Sequence, residues 1–200
     1  LSGGEAIVAG GKKLTGVEGR PGVGPGGDLV VYSGKGGPHT LDLFATRKTG
    51  GAWSTPVLLT QDMPFPYAHD LQIGPAGDKV EFDCGPDQYG VASGSSICEV
   101  GVDGSGFRVV ARPSDLSGGT ASHHPSLSRD GTIVFEGDWG GEQIWKMSGS
   151  GPVKVSTAKT FADDNSPCVL PDGRIASLWL NRPGNSGGAH ELKIMNADGT

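Results

Sequence analysis

Apolar residues in this chain come in short runs, and none of the runs keeps a helical period. Leu29-Val30-Val31-Tyr32, Val80-Glu81-Phe82 and Ile133-Val134-Phe135 are each the length of a strand, and glycine, proline or small polar residues close them off. Val80, Phe82 and Cys84 share one face by the period of two, and so do Cys98, Val100 and Val102. The long stretch 153–166 opens on an alternating Val-Lys-Val and reads as strand then loop. The pattern predicts β-structure throughout.

The runs recur as a unit. Asp163-Asp164-Asn165-Ser166-Pro167-Cys168-Val169-Leu170-Pro171-Asp172-Gly173-Arg174-Ile175 is a polar loop, a strand, a tight turn and a second strand, and three earlier segments repeat it. Aligned on their turn glycines, Gly27, Gly77, Gly131 and Gly173, the copies lie 50, 54 and 42 residues apart. Each continues into a third apolar run, and three add a fourth: Val57-Leu58-Leu59, Val109-Val110 and Val153-Lys154-Val155. Four short strands at this period are the mark of a propeller blade, a small twisted sheet that must stack on neighbours to cover its faces. The expectation is an all-β fold, a β-propeller of four four-stranded blades at about 17–60, 67–112, 121–157 and 163–200. Residues 5–9, an apolar run with no blade of its own, complete the last blade and close the ring. The alternative is an arc of a larger propeller, cut between third and fourth strands.

Pro167 with Pro171-Asp172-Gly173-Arg174-Ile175, Pro125 with Ser128-Arg129-Asp130-Gly131-Thr132-Ile133, and the later turn Met195-Asn196-Ala197-Asp198-Gly199 resemble the TolB-like β-propeller repeat family. The second copy departs at Ala76-Gly77-Asp78, and the first departs most, at Pro25-Gly26-Gly27. The family's namesake is a periplasmic propeller that binds envelope lipoproteins, so the resemblance implies a binding scaffold with a protein partner. The motif residues build turns, so they specify fold rather than chemistry.

Composition narrows the picture only modestly. A net charge of −6 and the lack of any basic run argue against a nucleic-acid role, and no apolar stretch is long enough for a membrane-spanning helix. Glycine and proline make up 50 of 200 residues, but they fall at turns between regularly spaced strands rather than in a featureless tract. Pairing Phe82 with Val100 places Val80 opposite Val102 and Cys84 opposite Cys98, which predicts a Cys84–Cys98 disulfide and hence a periplasmic or secreted protein. Cys168, on an inner strand, is expected to be buried.

The loops into the innermost strands of a propeller gather at one channel mouth. Here they carry Arg20, His69, Asp70, His123, His124, Asp163, Asp164 and Asn165. The repeat makes Gly19, His69, His123 and Asn165 equivalent, and likewise Arg20, Asp70, His124 and Ser166. Imidazoles and carboxylates in one ring are the ligand types of a divalent metal site and the groups of acid–base chemistry. No other cofactor is expected. The first functional expectation is a non-catalytic extracytoplasmic domain that binds a protein or glycan. The second is a carbohydrate-active lyase or hydrolase at the mouth. Self-association follows if the ring is not closed. Trp145 is expected in the core and Trp139 in an exposed loop.

Overall fold

The computed structural model describes residues 6–7, 13–14, 17–87, 94–117, 121–137, 143–156, 162–181 and 190–200. For 6–7, 13–14, 162–165, 179–181 and 190 the description is of the backbone alone. Trp139, expected in an exposed loop, lies outside the described residues.

Four antiparallel sheets follow one another along the chain. Blade one is built from β3 (Val17–Val23), β4 (Leu29–Gly34) and β5 (Asp42–Thr49), with β6 (Ala52–Trp53) and β7 (Val57–Leu58) both paired to β5. Blade two is β8 (Tyr67–Ile73), β9 (Lys79–Gly85), β10 (Ser96–Gly101) and β11 (Arg108–Ala111). Blade three is β12 (Ser122–Leu127), β13 (Ile133–Gly137), β14 (Gln143–Ser148) and β15 (Gly151–Lys154). Blade four is β16 (Ala162–Val169), β17 (Ile175–Asn181) and β18 (His190–Met195). A single turn of 3-10 helix at Pro113–Asp115 links blades two and three, and among the described residues no helix is long and apolar enough to cross a membrane.

The turn that sets the repeat has one geometry in all four copies. Gly27, Gly77, Gly131 and Gly173 take φ of 71°, 73°, 87° and 86°, and each donates its N–H to the carbonyl three residues back. Only glycine enters that region without strain, which is why these four positions carried the alignment.

Stacking buries the blade faces. Val80, Phe82, Cys84, Cys98 and Val100 pack on Leu29, Val31, Leu43 and Leu59 of blade one. The opposite face of blade two brings Ile97 and Ala111 against Ile133, Phe135 and Trp145, so Trp145 is core as expected. Val134, Ile144 and Val155 then meet Ile175 and Met195 of blade four. Each D–G turn after a third strand seats on the preceding blade. A Cβ at Gly104 would press on the Leu58 carbonyl, and one at Gly199 would collide with that of Val155. Gly199 (φ 90°) and Gly173 (φ 86°) share a backbone requirement, but the space beside Gly173 is open. Gly173→Ala is therefore expected to cost about 1 kcal/mol, the penalty of a left-handed alanine, and Gly199→Ala about 2–3 kcal/mol because the seam must also part. Urea midpoints of the two variants check the order, and equal losses would refute the seam.

Three expectations need correction. Ala6–Ile7 (β1) pairs with Lys13–Leu14 (β2), and no pairing of residues 5–9 with blade four occurs among the described residues. Nor is there packing of blade four on blade one, among the described residues, comparable to the other three seams. Blade four accordingly presents Leu178, Leu192 and Ile194 to solvent from one face, Leu192 being 71% exposed. Finally, Cys168 is exposed. On β16, Pro167 is the buried neighbour, and the alternation of the strand turns the next side chain outward.

The predicted disulfide is present, with Cα atoms 6.0 Å apart, but in a different register. Cys98 lies opposite Phe82 and Cys84 opposite Ser96, so the bridge joins a diagonal pair.

Candidate functional site at the seam of blades two and three

Every inner strand carries a bulge at the same place. His69 faces Asp83 and Gln72 faces Glu81, so three steps on β8 match two on β9. The same happens between His123 and Ser126 on β12, and between Asn165 and Cys168 on β16. The second residue of each bulge has positive φ: Asp70 at 44°, His124 at 48° and Ser166 at 48°. In blade one that role belongs to Gly19, at 82°. The first strand has one residue more, since Glu18 faces Ser33 and Gly22 faces Val31. Glu18, not Gly19, is thus the partner of His69 and His123 in the repeat. Arg20 falls outside the set and is exposed. That corrects the alignment on turn glycines.

The bulge turns consecutive side chains into one small volume. The Nδ1 atom of His69 lies 3.0 Å from Oδ2 of Asp70 and 3.9 Å from Oδ2 of Asp83. The Nδ1 atom of His123 lies 3.1 Å from that same Asp83 oxygen. The Nε2 atom of His124 lies 3.9 Å from Asp70 Oδ2, and its Nδ1 lies 3.0 Å from Oε2 of Glu136. Glu136 also accepts the backbone N–H of Ser166 at 2.9 Å, which ties the cluster to blade four. His69, His123, Asp83 and Glu136 are buried, while the side chains of Asp70 and His124 are about two-fifths exposed, 42% and 40%. Those two are what the cluster shows to solvent.

Asp83, Glu136, Glu81 and Glu99 were missed by sequence reasoning. Asp83 and Glu136 occupy the second-strand position opposite the bulge histidines. For Asp163, Asp164 and Asn165 the backbone sits in register opposite Leu180, Trp179 and Leu178. Their side chains lie outside the described residues, so the structure joins His69, Asp70, His123 and His124 and leaves the blade-four trio at the level of backbone position.

Electrostatics follow from the burial. The hydrogen bond to His69 holds Asp70 below the usual carboxylate range. Burial pushes Asp83 up, against the pull of the histidines. Burial opposes charge on His69 and His124, but the carboxylates outweigh it, so both are raised, His124 to about 9. Each of the three imidazole rings has a carboxylate oxygen within hydrogen-bond reach.

A second acidic pair lies further along the same face of blade two. Glu81 and Glu99 are directly opposite. Arg108 grips Glu99 through Nε at 2.8 Å and a terminal guanidinium nitrogen at 3.1 Å, and Lys79 adds a third contact at 3.0 Å. The Glu81 oxygens are buried, and Glu99 faces them across the strands. At the opposite ends of the inner strands a cleft of about 560 Å³ opens among the repeat turns. Its acids are bonded within their own turns, Asp130 to Ser128 and Thr132, and Asp172 to Arg174, so it is a groove of turn residues rather than a convergent site.

No family model matches the chain, and no curated protein matches it. Solved structures do. TolB from Acinetobacter baumannii superposes with a TM-score of 0.60 at 16% identity, over 96% of this chain and 45% of that one. A puromycin-hydrolysing peptidase from Mycobacterium tuberculosis gives 0.61 at 10% identity, over 92% and 29%. Prolyl oligopeptidase B from Galerina marginata gives 0.64 at 8% identity, over 94% and 27%. The chain spans less than half the length of each. At these identities the likeness speaks for fold alone, and the fold is a β-propeller.

Proposed function

We propose that this chain is a non-catalytic binding domain that works outside the cytoplasm and engages a protein partner at the mouth where Asp70 and His124 emerge. The observation that carries the reading is the pairing of a TolB-like fold with a cluster the fold does not require. Blades one and four make the same bulge with Glu18-Gly19 and Asn165-Ser166. Only blades two and three combine histidines with acids there. The Cys84–Cys98 bridge supports an oxidising compartment, because such bonds persist outside the reducing cytosol. A second reading, a carbohydrate-active lyase or hydrolase, is favoured by the His123–Asp83 contact of 3.1 Å, which orients an imidazole as an acid–base enzyme would.

Asp70→Ala with His124→Ala separates the two readings, because both side chains are partly exposed and their loss spares the core. Protein partners are captured by cross-linking to an envelope extract and then titrated against the purified domain. The expected result is at least a tenfold loss of partner affinity in the variant with no change in the far-ultraviolet spectrum. Uronate oligosaccharides are expected to stay intact with either protein. Turnover of a uronate by the wild type, lost in the variant, would replace the binding reading with the enzymatic one.

A further inference from the structure

The demand of the fold at this seam is small. A bulge needs one residue with positive φ, and glycine meets it at least cost, as Gly19 does in blade one. Asp70 and His124 occupy that region against their intrinsic preference, and each follows a buried histidine. The residues facing the four bulges are Ser33, Asp83, Glu136 and Leu178. Two adjacent blades therefore carry ligating atoms at every available position, while the outer two do not.

The distances point to a cation. His69, Asp70 and Asp83 each offer one ligand atom, and the three lie within 4.8 Å of one another. A tetrahedral ion held by bonds of about 2.0–2.1 Å keeps its ligand atoms roughly 3.3 Å apart. The observed separations about His69 Nδ1, 3.0 Å to Asp70 Oδ2 and 3.9 Å to Asp83 Oδ2, bracket that edge. The remaining observation is unspent polarity. Asp83 is wholly buried, and no hydrogen bond from the described residues reaches its Oδ1, the second oxygen of the carboxylate that faces His69 Nδ1. Structures seldom leave such atoms unmatched, since each costs what a lost hydrogen bond costs.

We propose that His69, Asp70 and Asp83 form a three-residue binding site for a first-row divalent transition-metal ion, zinc first, with the fourth position open to water, on the face of blade two that meets blade three. Mixed imidazole and carboxylate donors in a compact set of three favour zinc and its neighbours over calcium and magnesium, which take six or more oxygens. The ion ties the inner strand of blade two to its neighbour β9, and the site rests on the mouth reading above only for its location.

The test uses the whole chain, stripped with chelator and dialysed. Zinc is titrated against a chromogenic chelator, and cobalt(II) is added separately for its visible bands. The expected result is one zinc per chain, tetrahedral cobalt bands, and a Tm rise on the order of 5–10 °C at a hundredfold excess over Kd. Millimolar magnesium or calcium should give no rise. Asp70→Ala and, independently, His69→Gln should each weaken zinc at least tenfold. Asp70 is partly exposed, so its variant folds even if the buried one does not. Substoichiometric zinc in the wild type, or wild-type affinity in the Asp70 variant, overturns the site. If zinc fails to bind while the Asp70/His124 variant still loses its protein partner, the metal falls and the mouth stands. Zinc binding with partner affinity untouched in that variant gives the reverse.

Discussion

Replacing Cys84 and Cys98 together with alanine lowers the unfolding free energy by about 3–4 kcal/mol. The bridge spans a sequence separation of 14, and constraining a loop of that size in the unfolded chain is worth about 3 kcal/mol. The rest comes from packing. Both sulfurs lie in the cluster that joins blades one and two, among Phe82, Val80 and Leu43, and no part of either residue is exposed. Their removal leaves a small gap that the stacked sheets close only in part. A double variant is preferable to a single one, which would leave a lone buried thiol. Thiol counting gives an independent check. Under denaturing, non-reducing conditions one thiol should react, that of Cys168, and in the native state the same one should react because it is exposed. Three reactive thiols, or a urea midpoint unchanged by the double substitution, would remove the bridge and with it the main argument for an oxidising compartment.

That bridge also marks how far sequence reached. The period of two fixes which residues share a face, and Val80, Phe82 and Cys84 do share one with Cys98 and Val100. A slide of two residues leaves every side chain on the same face, so the pattern has nothing to say about it. The expected pairing of Phe82 with Val100 is off by that amount, Val100 lying opposite Val80. The disulfide survived because a diagonal pair is still within reach. The turn glycines were legible because only one residue type fits their backbone, and they fixed three of the four blades in alignment. Blade one slipped because its inner strand holds an extra residue that no glycine marks. The histidines were found through the repeat, but their acids were not. In Val80-Glu81-Phe82-Asp83-Cys84 the acids look like the solvent side of an ordinary alternating strand. A propeller covers both faces of a blade, so the polar side of β9 is buried against blade three, and the alternation that usually means exposure here means a buried network. Closure by the N-terminal strand is not seen among the described residues, for a related reason. A two-residue strand is satisfied by any edge in reach, and Ala6–Ile7 found Lys13–Leu14 nearby in sequence.

The same buried acids make stability depend on pH in a direction opposite to that of a paired surface carboxylate. Burial, and then the charge of Glu99 across the strands, push Glu81 up from 4.5 to about 8. Glu99 itself is held low: burial opposes its charge, but Arg108 and Lys79 more than offset that. The pair thus divides its work, Glu99 ionised and gripped by two cations, Glu81 neutral in the seam. In the unfolded chain Glu81 has an ordinary carboxylate value, so between about pH 4.5 and 8 the folded state holds a proton that the unfolded state has released. The contribution is fully present below the unfolded value and is lost as pH rises through the folded one. Each tenfold gain in proton affinity on folding is worth roughly 1.4 kcal/mol, so the loss is on the order of 4 kcal/mol by pH 9. Glu81→Gln keeps the shape and removes the titration. It is expected to match the wild type at pH 5 and to exceed it by about 3–4 kcal/mol at pH 9 in urea unfolding followed by tryptophan fluorescence. His124, raised to about 9, adds a slope of the same sign in both proteins, damped because its side chain is two-fifths exposed. The decisive quantity is therefore the difference between the two curves. A difference that stays constant from pH 5 to 9 would mean that Glu81 is ionised in the fold, with a partner for its carboxylate, and that the seam is wetter than its burial implies.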